Sequence, residues 1–443
     1  MRVLLLTSSA RGHALADALR RSPRRPEIVH VSAKSNPGIR AFADEEIVIP
    51  SLTDGGVIAD IAKRVAPDLA VIGPDDPIGA GMADVLEAAG IPTVAPLRSL
   101  ARIESSKGFA RELLAKHGID ASPRFRVFLS NQGSDLNNFI TQELGGSYVV
   151  KYDALKGGKG VKVSGEHLSS VEEGVAYAEE CIRECGRVVI EEKLEGVEFS
   201  LLSFVSGAAA VDMPAVQDHK RAFEGDLGPN TGGMGTYTDV DHSLPFLAPS
   251  DLAAASDLNR RVAQALGAEC GSPYKGILYG GFMAVRDGVR VIEYNARFGD
   301  PEALNLLTIL ESDFLAVCEA IAEGTLTPEL VRFRKLATVC KYVVPRSYPD
   351  GKDEWGEAVT LPAAPPENVR IYLGDVNETQ DGMLRLRSSR AIGVVGTGTT
   401  IAEAEAACEA VCGQIEGPVR HRADIGTAAL IESRSDALRR LRA

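Results

Sequence analysis

Along the N-terminal part of the chain, short apolar runs alternate with segments of helical spacing. Val3–Leu6, Ile28–Val31 and Leu69–Ile72 are unbroken apolar stretches of the length of buried strands. Between them, Ala14–Arg20 and the stripe Val57, Ile61, Ala62 and Val65 follow a helical period. This rhythm predicts a parallel sheet with helices on both faces. Ligands of such sheets sit beyond the carboxyl ends of the strands. Two polar segments fall there, Thr7-Ser-Ser-Ala-Arg-Gly-His13 and Gly73-Pro-Asp-Asp-Pro77.

The texture changes near Glu104. A helix over Lys107–His117 is followed by a strand, Tyr148–Lys151, that runs into the turn Lys156–Gly160 and returns as Val161–Val163. A helix over Val171–Cys185 and strands at Val188–Glu192 and Phe199–Val205 come next, then a long polar, glycine-rich loop over Gln217–Tyr237. Gly276–Val285 and Val289–Asn295 form a hairpin across Asp287-Gly288, and helices cover Glu302–Leu310 and Phe314–Glu323. From about Lys335 the pattern is again distinct: a strand at Leu336–Val344, proline-rich segments, a hairpin around Asp381-Gly382 and a helix over Thr400–Gln414. The expectation is a multidomain chain of mixed α/β and α+β class, divided at 1–104, 105–334 and 335–443.

Composition narrows the function. A length of 443 residues points to several domains, and a formal charge of −13 argues against general nucleic-acid binding, which needs an excess of Lys and Arg. The seven cysteines are scattered; Cys408 and Cys412 share an apolar helical stripe with Ile401, Ala404, Val411 and Ile415 and read as core residues. No stretch approaches a membrane span, and the apolar run at the N-terminus is too short for a signal segment, so the cytoplasm is the expected compartment.

The chemistry concentrates in a few segments. Alternation along Val289–Asn295 puts Val291, Glu293 and Asn295 on one strand face. A carboxylate and an amide oxygen side by side are hard ligands suited to Mg²⁺ (or Mn²⁺) that also binds nucleotide phosphates. Arg297 follows as a planar donor fork for carboxylate or phosphate. Lys151 at a strand end, Lys159 within Gly157-Gly-Lys-Gly160 and Lys107 at a helix start can meet a polyphosphate, although the glycine turn by itself is equally a solvated loop. Glu191, Glu192 and Glu198 frame an edge able to hydrogen-bond adenine and ribose; by residue type alone it is a charged surface hairpin. In the long loop, Asp218, Lys220 and Arg221 precede Asn230-Thr-Gly-Gly-Met-Gly235, whose exposed N–H groups suit an anionic substrate or γ-phosphate. Arg11 and His13 stand where they can clasp a sugar phosphate. These residues serve a ligase of several possible acids and amines, or a nucleotide-binding protein without turnover.

Gln217-Asp-His-Lys-Arg221, Gly228-Pro-Asn-Thr-Gly-Gly-Met-Gly235 and Arg297-Phe-Gly-Asp-Pro-Glu302, in that order, closely resemble the phosphoribosylamine–glycine ligases (glycinamide ribonucleotide synthetases) of the ATP-grasp superfamily. The resemblance extends to Gly73–Gly81, Ser106-Lys107 and Asp424-Ile-Gly426. It implies an N-terminal substrate domain, an ATP-grasp centre with an inserted lid at about 123–192, and a C-terminal domain packed back on the first. The implied reaction joins glycine to 5-phosphoribosylamine through a glycyl phosphate, with ATP consumed, in purine biosynthesis. Glu293 and Asn295 would hold Mg²⁺; Lys107, Lys151, Glu192, Leu194 and Glu198 would meet ATP. Arg297, Asp218 and Asn230, Thr231, Gly232, Gly233 and Gly235 would meet substrate and phosphate, with Lys220 beside them; Arg11 and Asp75 would lie on the phosphoribosylamine side. Its implied partners are small molecules, with no nucleic acid or membrane, and its implied state is a monomer or weak homodimer. One departure stands out: Thr7, Ser9, Ala10 and Gly12 replace the family's Gly, Gly, Gly and Glu, adding Cβ atoms where backbone approaches a phosphate.

Overall fold

The computed structural model describes residues 1–130, 134–156 and 160–443. Its first sheet has five parallel strands in the order Glu45–Val48, Glu27–Ser32, Arg2–Leu6, Leu69–Ile72, Thr93–Val94. Val3–Leu6 are wholly buried at its centre. The strand order reverses beside Arg2–Leu6, so the segments after Leu6 and after Ile72 open side by side at a switch point. The helix after Leu6 begins at Ser9, not at Ala14, which places Arg11 and His13 inside it rather than in a loop. In the helix Gly55–Val65 the buried positions are Ile58, Ile61, Ala62 and Val65; Val57 is exposed, so the stripe starts one residue later than the spacing predicts.

Two antiparallel sheets make the middle of the molecule. One pairs Ala209–Asp212, Val197–Ser206, Lys275–Val285 and Gly288–Asn295 in that order, with the helix Pro249–Cys270 packed against it. The other has the order Phe125–Phe128, Val188–Glu192, Tyr148–Tyr152, Val161–Val163 and carries the helix Val171–Cys185. This second sheet has a small core of its own, including Phe128, Phe139, Tyr148 and Ile190, separate from the main core.

The stretch Gln217–Tyr237 is not the irregular loop its composition predicts. Gln217–Asp218 and Gly235–Thr238 pair with each other, and Gly235–Thr238 joins Ala337–Pro345 in a sheet that continues through Ile392–Gly398 to Val369–Leu373. Between them, Arg221–Phe223 and Leu227–Asn230 form a two-stranded ribbon. Strands of two to four residues leave no readable period, and Gly235–Thr238 joins a strand about a hundred residues away, so local pattern cannot reveal them. The hairpin at Asp381-Gly382 forms between Val376–Glu378 and Leu384–Leu386, and the helix Ile401–Cys412 buries Cys408 and Cys412 as its stripe predicts. A final helix, Ala428–Arg442, is tied to the middle region by Arg442 to Asp251 at 2.8 Å. Among the described residues, no helix is long and apolar enough to cross a membrane.

Candidate active site

The strand Gly288–Asn295 contains a bulge. Gly281 faces Glu293, but the next residue, Phe282, faces Val291, leaving Ile292 as the extra residue. Val291 therefore turns to the core side with Phe282 and Tyr294, whose rings meet edge to face at 6.1 Å. Glu293 and Asn295 remain together on the opposite face, so the expected grouping holds for these two and fails for Val291. The bulge also turns the Ile292 carbonyl out of the ladder. It accepts hydrogen bonds from Lys151 Nζ at 2.8 Å and Arg111 Nη2 at 2.7 Å, joining the two middle sheets.

Cations surround Glu293. Lys220 Nζ lies 3.6 Å from Glu293 Oε1. Burial alone would raise the Glu293 carboxyl, but Lys220, Lys107, Lys151 and Arg297 hold it down at about 2. Burial likewise opposes the Lys220 charge, yet Glu293, Glu198, Asp218 and Glu302 raise its pKa. Burial and the neighbouring Glu302 push Asp218 well up. Lys107 opens the helix Lys107–Lys116, whose start is fixed by Ser106 Oγ accepting from Phe109 N and by Asp153 accepting from Gly108 N at 2.9 Å. Its Nζ reaches the Glu104 carbonyl at 3.0 Å. Lys107, Lys151, Glu191 and Glu293 line one narrow cleft with Arg111 and Ile292.

Arg297 is held by Glu104, 3.1 Å from its Oε1, while Glu104 Oε2 accepts from Ala296 N at 2.8 Å. Against the cost of burial, Glu104 and then Asp75 keep the guanidinium charged. Its Nε is buried without a hydrogen-bond partner among the described residues, leaving donor capacity for a ligand.

The glycine-rich segment is braced from beneath. Thr231 Oγ1 donates to the Lys220 carbonyl at 2.9 Å and accepts from Gly233 N at 3.0 Å. Gly233 has φ +112°, and a Cβ there would fall 2.6 Å from Pro301 and 2.7 Å from Asp218 Oδ1, so the position demands glycine. Arg390 Nη1 reaches the carbonyls of Gly232, Gly233 and Asp300 at 2.8, 2.9 and 2.7 Å. Asn230 is half-buried at the end of the ribbon opposite Arg221, and Gly235 starts the next strand.

Other expected residues fall differently. Val188–Glu192 is an interior strand, not an edge, paired on both sides up to Glu192. The Glu191 carboxylate is buried between Arg111 Nε at 2.6 Å and Lys151 Nζ at 2.7 Å and orients both cations beside the cleft. Glu192 is paired with Arg124 at 2.9 Å, Leu194 is half-buried and Glu198 is exposed. His13 is enclosed by Phe42 and Tyr372, and its Nδ1 accepts from Leu373 N at 2.8 Å. Burial lowers its pKa to about 4, so it is neutral near pH 7 and pins the first helix to the C-terminal sheet; it is not a phosphate clasp. Arg11 Nη1 donates to the Phe298 carbonyl at 2.8 Å, and Asp75, at the start of the helix Asp75–Ala80, lies in the field of Arg297 and Arg11. Lys159 lies outside the described residues. Sequence reading missed Arg390, Glu104, Arg111 and Asp153, none of which stands in a motif.

Glu293 and Asn295 fit Mg²⁺: they share one face, the carboxylate is ionised by its surroundings, and Mg²⁺ takes few protein ligands besides water and phosphate. Among the described residues there is no group of three or more His, Cys, Asp or Glu that suits a metal. A lysine-lined cleft between two antiparallel sheets, with a carboxylate and an amide on the floor strand, defines an ATP-grasp enzyme, a class that uses ATP with Mg²⁺. Residues 1–104, 105–303 and 338–428 match the N, ATP-grasp (A) and C domains of phosphoribosylglycinamide synthetase. The chain belongs to the phosphoribosylglycinamide synthetase family. The phosphoribosylamine–glycine ligase of Methanosarcina barkeri is 43% identical over 442 residues, 100% of each chain. The crystal structure of the phosphoribosylamine–glycine ligase from Thermotoga maritima matches with a TM-score of 0.79 at 28% identity, covering 96% of this chain and 100% of that one. A biotin carboxylase from Campylobacter jejuni shares the fold, with a TM-score of 0.75 at 13% identity over 99% of this chain and 98% of that one.

Proposed function

We propose that the chain joins glycine to 5-phosphoribosylamine, converting ATP to ADP and phosphate and yielding glycinamide ribonucleotide. The observation that carries this reading is the Glu293–Asn295 face ringed by Lys107, Lys151, Lys220 and Arg297, in a chain related along its full length to ligases of that name.

Carboxylates do not acylate amines without activation. A glycine carboxylate oxygen attacks the γ-phosphorus and ADP departs, leaving a glycyl phosphate; the amine nitrogen then attacks the acyl carbon and phosphate departs. Mg²⁺ held by Glu293 and Asn295 would neutralise phosphate charge. Lys107 and Lys151 draw the polyphosphate into the cleft, with Lys151 fixed by Glu191 and Ile292. Arg297, oriented by Glu104, presents its guanidinium to glycine or the transferred phosphoryl group. Lys220 faces the same charge beside the segment Asn230–Gly235, whose N–H groups at Thr231, Gly233 and Met234 are bonded within the fold and hold its shape. Glu192, Leu194, Glu198 and Lys159 belong to the nucleotide side, and Arg11 and Asp75 to the amine side. The parts that carry these roles are 1–104, 105–334 with a lid at about 123–192, and 335–443, in a cytoplasmic monomer or weak homodimer.

With phosphoribosylamine generated in situ, ADP release should require both glycine and the amine, and ¹⁸O from the glycine carboxylate should appear in phosphate. ADP release indifferent to either substrate, or unlabelled phosphate, would overturn the reading.

A further inference from the structure

Ser9 adopts φ +65°, in the left-handed region that crowds the Cβ of an L-residue. It sits at the carboxyl end of the central strand of the first sheet, where the chain turns into the helix Ser9–Arg20. Its hydroxyl donates to Asp300 Oδ2 at 2.8 Å, and two residues later Arg11 Nη1 donates to the Phe298 carbonyl at 2.8 Å. The first turn of that helix is thereby docked on the segment that leaves the Glu293–Asn295 strand.

Asp300 has a second set of partners. Its Oδ1 accepts from Tyr342 Oη and lies 3.4 Å from Arg390 Nη2, both from the C-terminal part of the chain. One carboxylate thus joins the first sheet, the phosphoryl-transfer segment and the C-terminal sheet. The turn before the helix is also keyed internally. A Cβ on Gly12 would fall 2.7 Å from Thr7 Cγ2, so Thr7 fits only because residue 12 has no side chain. With Thr7 packed inward, Ser9 and Arg11 are the attachments by which the turn reaches the centre.

We propose that Ser9 is a positioning residue for the amine-transfer half of the reaction: its bond to Asp300 holds the strand-to-helix turn of the first sheet so that the bound amine is aimed at the activated acid. The proposal rests on the ligase reading above. On that reading the turn that Ser9 holds carries Arg11 of the amine side, while the lysines assigned to the nucleotide lie on other elements, so loss of the bond acts first on the amine.

The test is Ser9→Gly, which takes the same φ without crowding and removes the whole hydroxymethyl group, compared with Ser9→Ala, which removes only the hydroxyl and keeps the crowding. Steady-state kinetics are measured for ATP, glycine and phosphoribosylamine separately, with thermal unfolding alongside. Ser9→Gly is expected to lower kcat/KM for the amine about tenfold or more, with KM for ATP and glycine within about twofold of wild type and the unfolding midpoint nearly unchanged. Ser9→Ala should show the same kinetic split and a lower midpoint. An amine kcat/KM within twofold of wild type in Ser9→Gly would overturn the proposal. So would an equal fall for all three substrates, or failure of Ser9→Gly to fold, either of which makes the hydroxyl a structural tie. Absence of amine-dependent turnover in the wild-type enzyme overturns the ligase reading instead.

Discussion

Lys151 Nζ donates to the Ile292 carbonyl at 2.8 Å, and that carbonyl is free to accept because Ile292 is the extra residue of a β-bulge. The bulge does two things at once: it separates Val291 from the Glu293–Asn295 face and supplies an anchor for the lysine of the opposite sheet. Glu191 completes the anchor, bonded to both Lys151 and Arg111.

This arrangement separates stability from activity. Lys151→Met leaves a neutral Arg111–Glu191 pair and should cost under about 2 kcal/mol of stability, while lowering kcat/KM for ATP about a hundredfold or more. Glu191→Gln leaves two buried cations without their counter-charge and should cost about 3–5 kcal/mol. Denaturant unfolding of the two variants checks the order; equal destabilisation would contradict it.

Glu293→Ala should remove nearly all glycine- and amine-dependent ADP formation, roughly a thousandfold or more, through loss of the oxygen ligand and of the charge that Lys220 faces. Near wild-type ADP formation in this variant would dismiss Glu293 as a metal ligand.

The buried His13 makes a pH-dependent contribution. Its folded pKa of about 4 lies below the ordinary 6.5, so the unfolded chain binds the proton more readily. The stabilisation is full above about pH 6.5 and is lost progressively as pH falls towards about 4. His13→Gln keeps an acceptor for Leu373 N without titrating in this range. The stability difference between wild type and His13→Gln should therefore shrink between pH 7 and pH 4; a constant difference would show that His13 does not titrate this way.

Arg390 binds three carbonyls that shape the floor of the glycine-rich segment. Arg390→Ala should raise KM for glycine about tenfold or more, about 1.4 kcal/mol per tenfold, with KM for ATP little changed. Isothermal titration with a non-hydrolysable ATP analogue and steady-state glycine kinetics separate the two; an equal loss in both would show a general collapse of the site.

Much of the fold could be read locally. The helices Val171–Cys185 and Phe314–Glu323 begin and end where the sequence predicts because each carries its own signals. Ser170 and Asp313 cap the starts, and Gly186 and Gly324, at φ +81° and +82°, close the ends. The strands inside Gln217–Tyr237 carry no such signals. Gly235–Thr238 is placed by Ala337–Pro345, the ribbon of Arg221–Phe223 and Leu227–Asn230 forms a sheet of its own, and runs of two to four residues are too short to display a period.

By itself, the sequence determined which candidate residues stand together along the chain. Glu293 and Asn295 stand two apart on a strand, Arg297 follows them, and the glycine-rich segment is written in consecutive positions, so chain connectivity alone keeps each group together. Only the tertiary structure decided what orients them. Glu104 grips Arg297 from 193 positions away, and Ser9 meets Asp300 across 291. Contacts between residues so distant leave no periodic trace in either segment, because each side chain is chosen by a partner that only folding brings near.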